Sequence, residues 1–187
     1  MSHLEIEHAK RLCLKLPIIE PSPAASITDG AIAVFHQLIQ RQALDKELMI
    51  DVVDYRHLAQ GSQVLLICHH SHYALDFADG VAGLLYRDRR AQGSLSERLS
   101  LGLSRLKAMA EAIIEPLALG FAGDRLLLRL EDRLWAPNRS EVAQQAQTVI
   151  ARALEAAGHP DSAVVALEED RRRALGFSVK LQRALIV

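Results

Sequence analysis

Three stretches decide the fold: Leu48-Met-Ile-Asp-Val-Val-Asp-Tyr-Arg-His57, Val64-Leu-Leu-Ile-Cys-His-His-Ser-His-Tyr73 and Val81-Ala-Gly-Leu-Leu-Tyr-Arg87. Each is rich in β-branched and aromatic residues, and each is bounded by a turn signal, Ala59-Gln60-Gly61 after the first and Asp79-Gly80 after the second. The connections are too short for the crossover that parallel neighbours need, so consecutive strands form an antiparallel meander.

A long helix follows. Ser94 and Glu97 make a capping box, in which the hydroxyl accepts an orphan N–H and the carboxylate reaches back. Leu99, Leu103, Leu106, Ala110, Ile113 and Leu117 recur at steps of three and four, one apolar stripe that ends near Pro116. Any part of that stripe left uncovered by the sheet would be an interface for a second copy. Beyond Gly120 and Gly123 the pattern is β-α-β-β. Arg125–Glu131 alternates as a strand, and Asn138 with Glu141 opens a second capped helix that Gly158 and Pro160 close. Ala163–Leu167 and Leu175–Leu181 are the last strands, with Glu168–Arg173 as a charged loop between them. The architecture expected is α+β: an antiparallel meander, a long helix and a β-α-β-β unit, with helices packed on the sheet or sheets.

The amino-terminal third reads less sharply. Leu4–Leu16 has loosely helical spacing, and Pro17, Pro21 and Pro23 suggest an extended connector through residues 17–30. Ala31–Gln40 fits either a helix or a strand; the preceding Asp29-Gly30 and the β-branched residues favour a strand.

With 187 residues, half of them apolar, the chain is sized for a single domain spanning 1–187 with its own core. Acidic and basic residues number 23 and 22, so no global field steers the protein toward nucleic acid or an anionic membrane. No apolar run reaches the ~20 residues needed to span a bilayer. Two cysteines, Cys13 and Cys68, make neither a disulfide framework nor a four-thiolate metal site. Charged residues interrupt the apolar runs near the amino terminus, so no secretory signal is read there and a cytoplasmic setting is expected. Phosphate-loop, dinucleotide-binding, nucleophile-elbow and H-E-x-x-H patterns are all missing from the sequence.

One segment concentrates chemistry. On a continuous strand Cys68, His70 and His72 would share a face, the beginning of a zinc or iron site. The preceding strand would supply a carboxylate. One register sets Asp51 opposite His70, and a slip of one residue sets Asp54 opposite Cys68 instead. The bland alternative is a cluster of solvated histidines beside a small core cysteine. A second candidate is a polar group at the strand ends, Asp54, Arg56 and His57 with Tyr73 and Asp76, which would serve as a binding site or as an ordinary ion-pair network. The arginine clusters Arg87/Arg89/Arg90 and Arg171/Arg172/Arg173 could grip a phosphate or a carboxylate, but each alternates with acids, the pattern of solvated loops.

The runs Asp51–His57, Val64–His69, His72-Tyr-Ala-Leu-Asp76 and Gly83-Leu-Leu-Tyr86 resemble a family of uncharacterised bacterial proteins, with a looser echo at Leu134-Trp-Ala-Pro-Asn138. That resemblance implies a soluble bacterial protein and assigns no activity, cofactor or site residue. Two functions remain in play. One is a binding or self-associating domain, forming a homo-oligomer or taking a small ligand or protein partner. The other is a divalent-metal-dependent hydrolase built on the His/Asp cluster.

Overall fold

The strand that organises the molecule, β1 (Leu12–Ile19), begins inside the segment whose spacing looked helical and ends inside the expected connector. The computed structural model describes residues 6–19, 24–58, 62–90, 92–167 and 170–186. The expected turn at residues 59–61 and part of the loop at 168–173 lie outside the described residues. Among the described residues ahead of β1, Ile6–His8 forms a short 3-10 turn.

Pro17 misleads because its setting is special. β1 pairs with the seventh strand only as far as Lys15↔Leu127, and with the short sixth strand from Ile18↔Phe121 onward. Pro17 falls in the gap, where the missing N–H removes no ladder bond. Its carbonyl accepts from Ala122 at 2.8 Å.

The meander is β2 (Met49–Asp54), β3 (Ser62–Cys68), β4 (Ser71–Asp76) and β5 (Gly83–Asp88). The carboxy-terminal strands are β6 (Gly120–Phe121), β7 (Arg125–Leu130), β8 (Ala163–Ala166) and β9 (Leu175–Lys180). They make one antiparallel sheet in the order β2-β3-β4-β5-β1-β7-β9-β8, with β6 added beside β1. The two β regions read separately in the sequence are joined by β1, which pairs with β5 on one side and β7 on the other.

Ala31–Gln40 is helical, not a strand. It belongs to α1 (Ala24–Arg41), whose buried residues Ile27, Ala31, Val34, Phe35 and Leu38 recur at three and four. The Asp29-Gly30 pair is no turn here. A Cβ at Gly30 would lie 3.0 Å from Leu117, so the glycine serves close packing within the helix. α2 (Leu95–Ile114) has the expected box, with the Glu97 amide donating to the Ser94 hydroxyl and the Ser94 amide donating to the Glu97 carboxylate. α3 (Ser140–Ala156) lacks the second box. It starts after Arg139, and Asn138 instead donates from its side chain to the Asp170 carbonyl.

Alternation divides the sheet. Leu12, Leu14, Leu16, Leu66, Tyr73, Leu75, Leu84, Tyr86, Leu128 and Phe177 are buried beneath the helices. The opposite face carries Cys13, Lys15, Leu65, His72, Ala74, Asp76, Leu85 and Arg87. The α2 stripe is covered within the chain by the sheet and α3, because Leu99, Leu103, Leu106, Ala110 and Ile113 are all at most 2% exposed. Leu117, the last residue of the stripe, is partly buried. Among the described residues no helix is long and apolar enough to cross a membrane.

Candidate functional site

The histidine-rich segment is not one strand. The chain reverses at His69-His70, a two-residue turn between β3 and β4. Reversal resets the side-chain alternation that made Cys68, His70 and His72 neighbours. Cys68 is buried in the core under the helices, His70 is at the turn, and His72 pairs across the other face with Ile67 and Arg87. Asp51 lies opposite Ile67 and Asp54 opposite Val64, with a bulge between Met49 and Asp51, so neither anticipated register occurs. Asp51 is exposed and its carboxylate accepts from the Val52 amide. Among the described residues no three His, Cys, Asp or Glu side chains are grouped to hold a metal ion.

The strand-end cluster separates as well. Arg56 grips Asp54 through Nε and Nη2, at 2.7–3.0 Å, and also reaches Asp29 on α1. This pairing holds the Asp54 carboxyl down at about 2. His57 is exposed beside Tyr55. Tyr73 points under the helices, whereas Asp76 is on the opposite face, 2.6 Å from Lys15 Nζ.

What the turn does create is a polar wall facing α2. Glu47, on the loop entering β2, has a fully buried side chain. Its carboxylate accepts from the His70 amide at 2.8 Å, from the Ser71 hydroxyl at 3.2 Å and from Arg105 Nη1 at 2.8 Å. The Tyr86 hydroxyl also meets Arg105, and its ionisation is pushed up to about 12 by burial. Two α2 turns earlier Arg98 is only 4% exposed. It donates to the Ala9 carbonyl, lies 3.5 Å from Asp88, and its Nε has no hydrogen-bond partner among the described residues. Burial raises the pKa of Asp88, with Arg98 opposing.

Arg90 follows the end of β5. Its guanidinium contacts His69 Nε2 at 2.8 Å. A guanidinium only donates, so Nε2 accepts and His69 carries its proton on Nδ1. Arg90 correspondingly lowers the pKa of His69. Of the first arginine cluster, Arg87 lies in β5 and pairs with Glu131 at 2.8 Å, whereas Arg89 and Arg90 are exposed in the bend that follows the strand.

Arg90, Arg98 and Arg105 line one cavity of about 170 Å³, together with His70, Tyr86 and Asp88. His70 Nδ1 stands 3.8 Å from Glu47 and has no hydrogen-bond partner among the described residues. The three guanidiniums on its wall outnumber Asp88 and, behind Arg105, Glu47, which leaves one cation in excess. Planar, always-charged donors in this arrangement suit a carboxylate or phosphate.

A second depression of about 130 Å³ lies on the helix-free face, between Lys15, Asp76, Arg87 and Glu131. Its charges are consumed internally. Lys15 is held by Asp76 and by the Ala78 carbonyl at 3.1 Å, and Arg87 by Glu131. The cavity against α2 is the stronger candidate.

Sequence reasoning named Arg90 and its neighbour Asp88 but set them aside as a solvated loop, and it missed Glu47, Arg98 and Arg105. The signal for two of them was present: Arg98, Leu101 and Arg105 step by three and four along α2, parallel to the apolar stripe. No protein-family model matches this chain, and no curated protein matches it either.

Proposed function

We propose that this protein binds a small anionic molecule, bearing a carboxylate or a phosphate, in the cavity between α2 and the His69-His70 turn. The observation that carries the reading is the convergence of Arg90, Arg98 and Arg105 on one 170 Å³ space. Arginine forks recognise planar or tetrahedral oxyanions through paired N–H donors, and partial burial strengthens each contact. Arg98 supports the reading because a guanidinium 4% exposed, with Nε unpartnered, is costly to keep unless it has a task. This is the binding-domain function, placed at a site that the strand ends alone do not supply.

The test is an NMR titration of the full chain with inorganic phosphate and with acetate at constant ionic strength. Shifts confined to the amides of His70, Arg90 and Leu101, saturating with one site, are the expected result. The exposed Arg90 allows a mild variant, Arg90→Gln, which should weaken phosphate several-fold with the fold intact. If neither anion perturbs these amides at concentrations where buffer effects already appear elsewhere, the proposal fails.

A further inference from the structure

The arginine cavity has a neighbour. A second cavity of about 260 Å³ is bounded by Leu44, Ala108 and the Tyr73 ring, and it shares two wall residues, Leu101 and Arg105, with the first. The two spaces adjoin along α2, with the Arg105 guanidinium at their common wall. Leu101 borders both and is 48% exposed, an aliphatic side chain left half in water beside buried charge. The second cavity differs in character from the first. Of the three arginines it keeps only Arg105, whose nearer carboxylate, Glu47, is already fully engaged. The Tyr73 hydroxyl lies near that of Ser71 without a bond of normal geometry, and burial pushes its ionisation well above the usual range. It therefore remains a protonated donor beside the aliphatic side chains of Leu44, Leu101 and Ala108, while Asp45, Lys46 and Ser104, which also border the cavity, are exposed to solvent.

We infer that the ligand is an organic anion with an apolar body: its oxyanion sits among the arginines and its aliphatic or aryl portion crosses Arg105 to lie against Leu101, Leu44 and Ala108. This rests on the anion-binding reading and adds the class of the ligand. An inorganic anion would occupy the first cavity and leave the second to water. A hydrocarbon chain without a charge would leave the guanidiniums without a new partner. Only a molecule carrying both parts uses both cavities, and the burial of its body adds affinity in proportion to the apolar area removed from water. The combined space falls in the range of ordinary small-molecule sites, which are apolar with a few convergent polar groups.

The experiment measures dissociation constants by calorimetry at fixed ionic strength, for inorganic phosphate, phenyl phosphate, acetate, octanoate and neutral octanol. The expected result is that phenyl phosphate binds at least tenfold tighter than inorganic phosphate, and octanoate at least tenfold tighter than acetate. Filling the second cavity with Ala108→Phe, at an exposed helix position, should bring phenyl phosphate down to the level of inorganic phosphate. If the small anions bind and the larger ones gain nothing, the inference is overturned while the anion site stands. If octanol binds as tightly as octanoate, the charge is irrelevant and the inference is again overturned. If nothing binds, the underlying reading fails and takes the inference with it. Circular dichroism of Ala108→Phe separates loss of the cavity from loss of the fold, and a misfolded variant is replaced by Ala108→Leu.

Discussion

Replacing Glu47 by alanine is the sharpest perturbation the structure offers. The carboxylate has no solvent exposure and satisfies three donors: the His70 amide, the Ser71 hydroxyl and the Arg105 guanidinium. Two routes give the cost. Removing one member of a buried ion pair typically destabilises by about 3–5 kcal/mol, because the remaining charge keeps its desolvation penalty without compensation. Counting bonds instead, hydrogen bonds to a charged group contribute roughly 1.5–3 kcal/mol each. Arg105 retains 15% exposure, so water reaches part of the orphaned guanidinium, and the lower end, about 3 kcal/mol, is the better figure. With a urea m-value of about 2 kcal/mol/M, the midpoint should fall by about 1.5 M.

The assay is urea unfolding followed by fluorescence of the single tryptophan and by circular dichroism, with coincident transitions required. The companion variant Glu47→Leu/Arg105→Met removes both charges and should recover stability well beyond the sum of the single changes. A midpoint shift below about 0.5 M at constant m would refute the claim that this pair is buried and coupled. So would single-mutant effects that add within roughly 0.3–0.5 kcal/mol, since additivity is the mark of independent sites.

Other consequences are as direct. Cys13 and Cys68 are buried, and burial pushes both thiols up to about 12, so neither should react with a thiol reagent in the folded protein and both should react in urea. Fast native labelling of either would contradict the burial. Burial chiefly lowers the pKa of His72, and also that of His159, while Arg90 chiefly lowers that of His69. With folded values below the unfolded 6.5, the unfolded chain binds more protons, so stability is lost as pH falls below about 6.5. Urea midpoints at pH 7.5 and 5.5 should show the loss, and His72→Gln should reduce it; an unchanged pH dependence in that variant would count against the assignment. At Gly102 a Cβ would lie 3.0 Å from both Leu14 and the Tyr86 ring, so Gly102→Val should cost about 1–3 kcal/mol through overpacking, measured by thermal unfolding.

How much of this was legible in the sequence depends on whether the signal was local. The α2 stripe and its Ser94–Glu97 box are properties of one segment, and both are present. The meander and the β-α-β-β unit also follow from local alternation and short connections. Errors arose where meaning depended on a distant neighbour. Pro17 breaks a strand unless the partner strand has a gap at that point. Asp29-Gly30 signals a turn unless Leu117 needs the space a side chain would take. Cys68–Tyr73 contains no glycine, asparagine or aspartate between the two strands, so nothing local announced the reversal at His69-His70. That reversal, together with the β2–β3 register that moves Asp51 and Asp54 away, dissolved the metal-site geometry and, by turning the His70 amide toward Glu47, assembled the arginine cavity's wall.

The charged residues of that wall also bear on why it exists. Glu47, Asp88, Arg98 and Arg105 occupy positions between α2 and the sheet where leucine or methionine would serve stability as well or better, since buried ion pairs are often neutral or unfavourable against apolar replacements of similar volume. The same interface proves the chain has that option: Leu99, Leu103 and Leu106, a step away on the same helix, bury nothing but hydrocarbon. Fold stability therefore does not account for the charges. Holding guanidiniums at fixed positions does, because Glu47 immobilises Arg105 and the Ala9 carbonyl immobilises Arg98, and an arginine already ordered loses little further entropy when an oxyanion arrives. One charge-free double variant separates the explanations. If Glu47→Leu/Arg105→Met is as stable as the parent and has lost phosphate, the pair exists for recognition; if it is stable and binds phosphate unchanged, the pair is a structural device and the cavity is lined by arginines for some other reason.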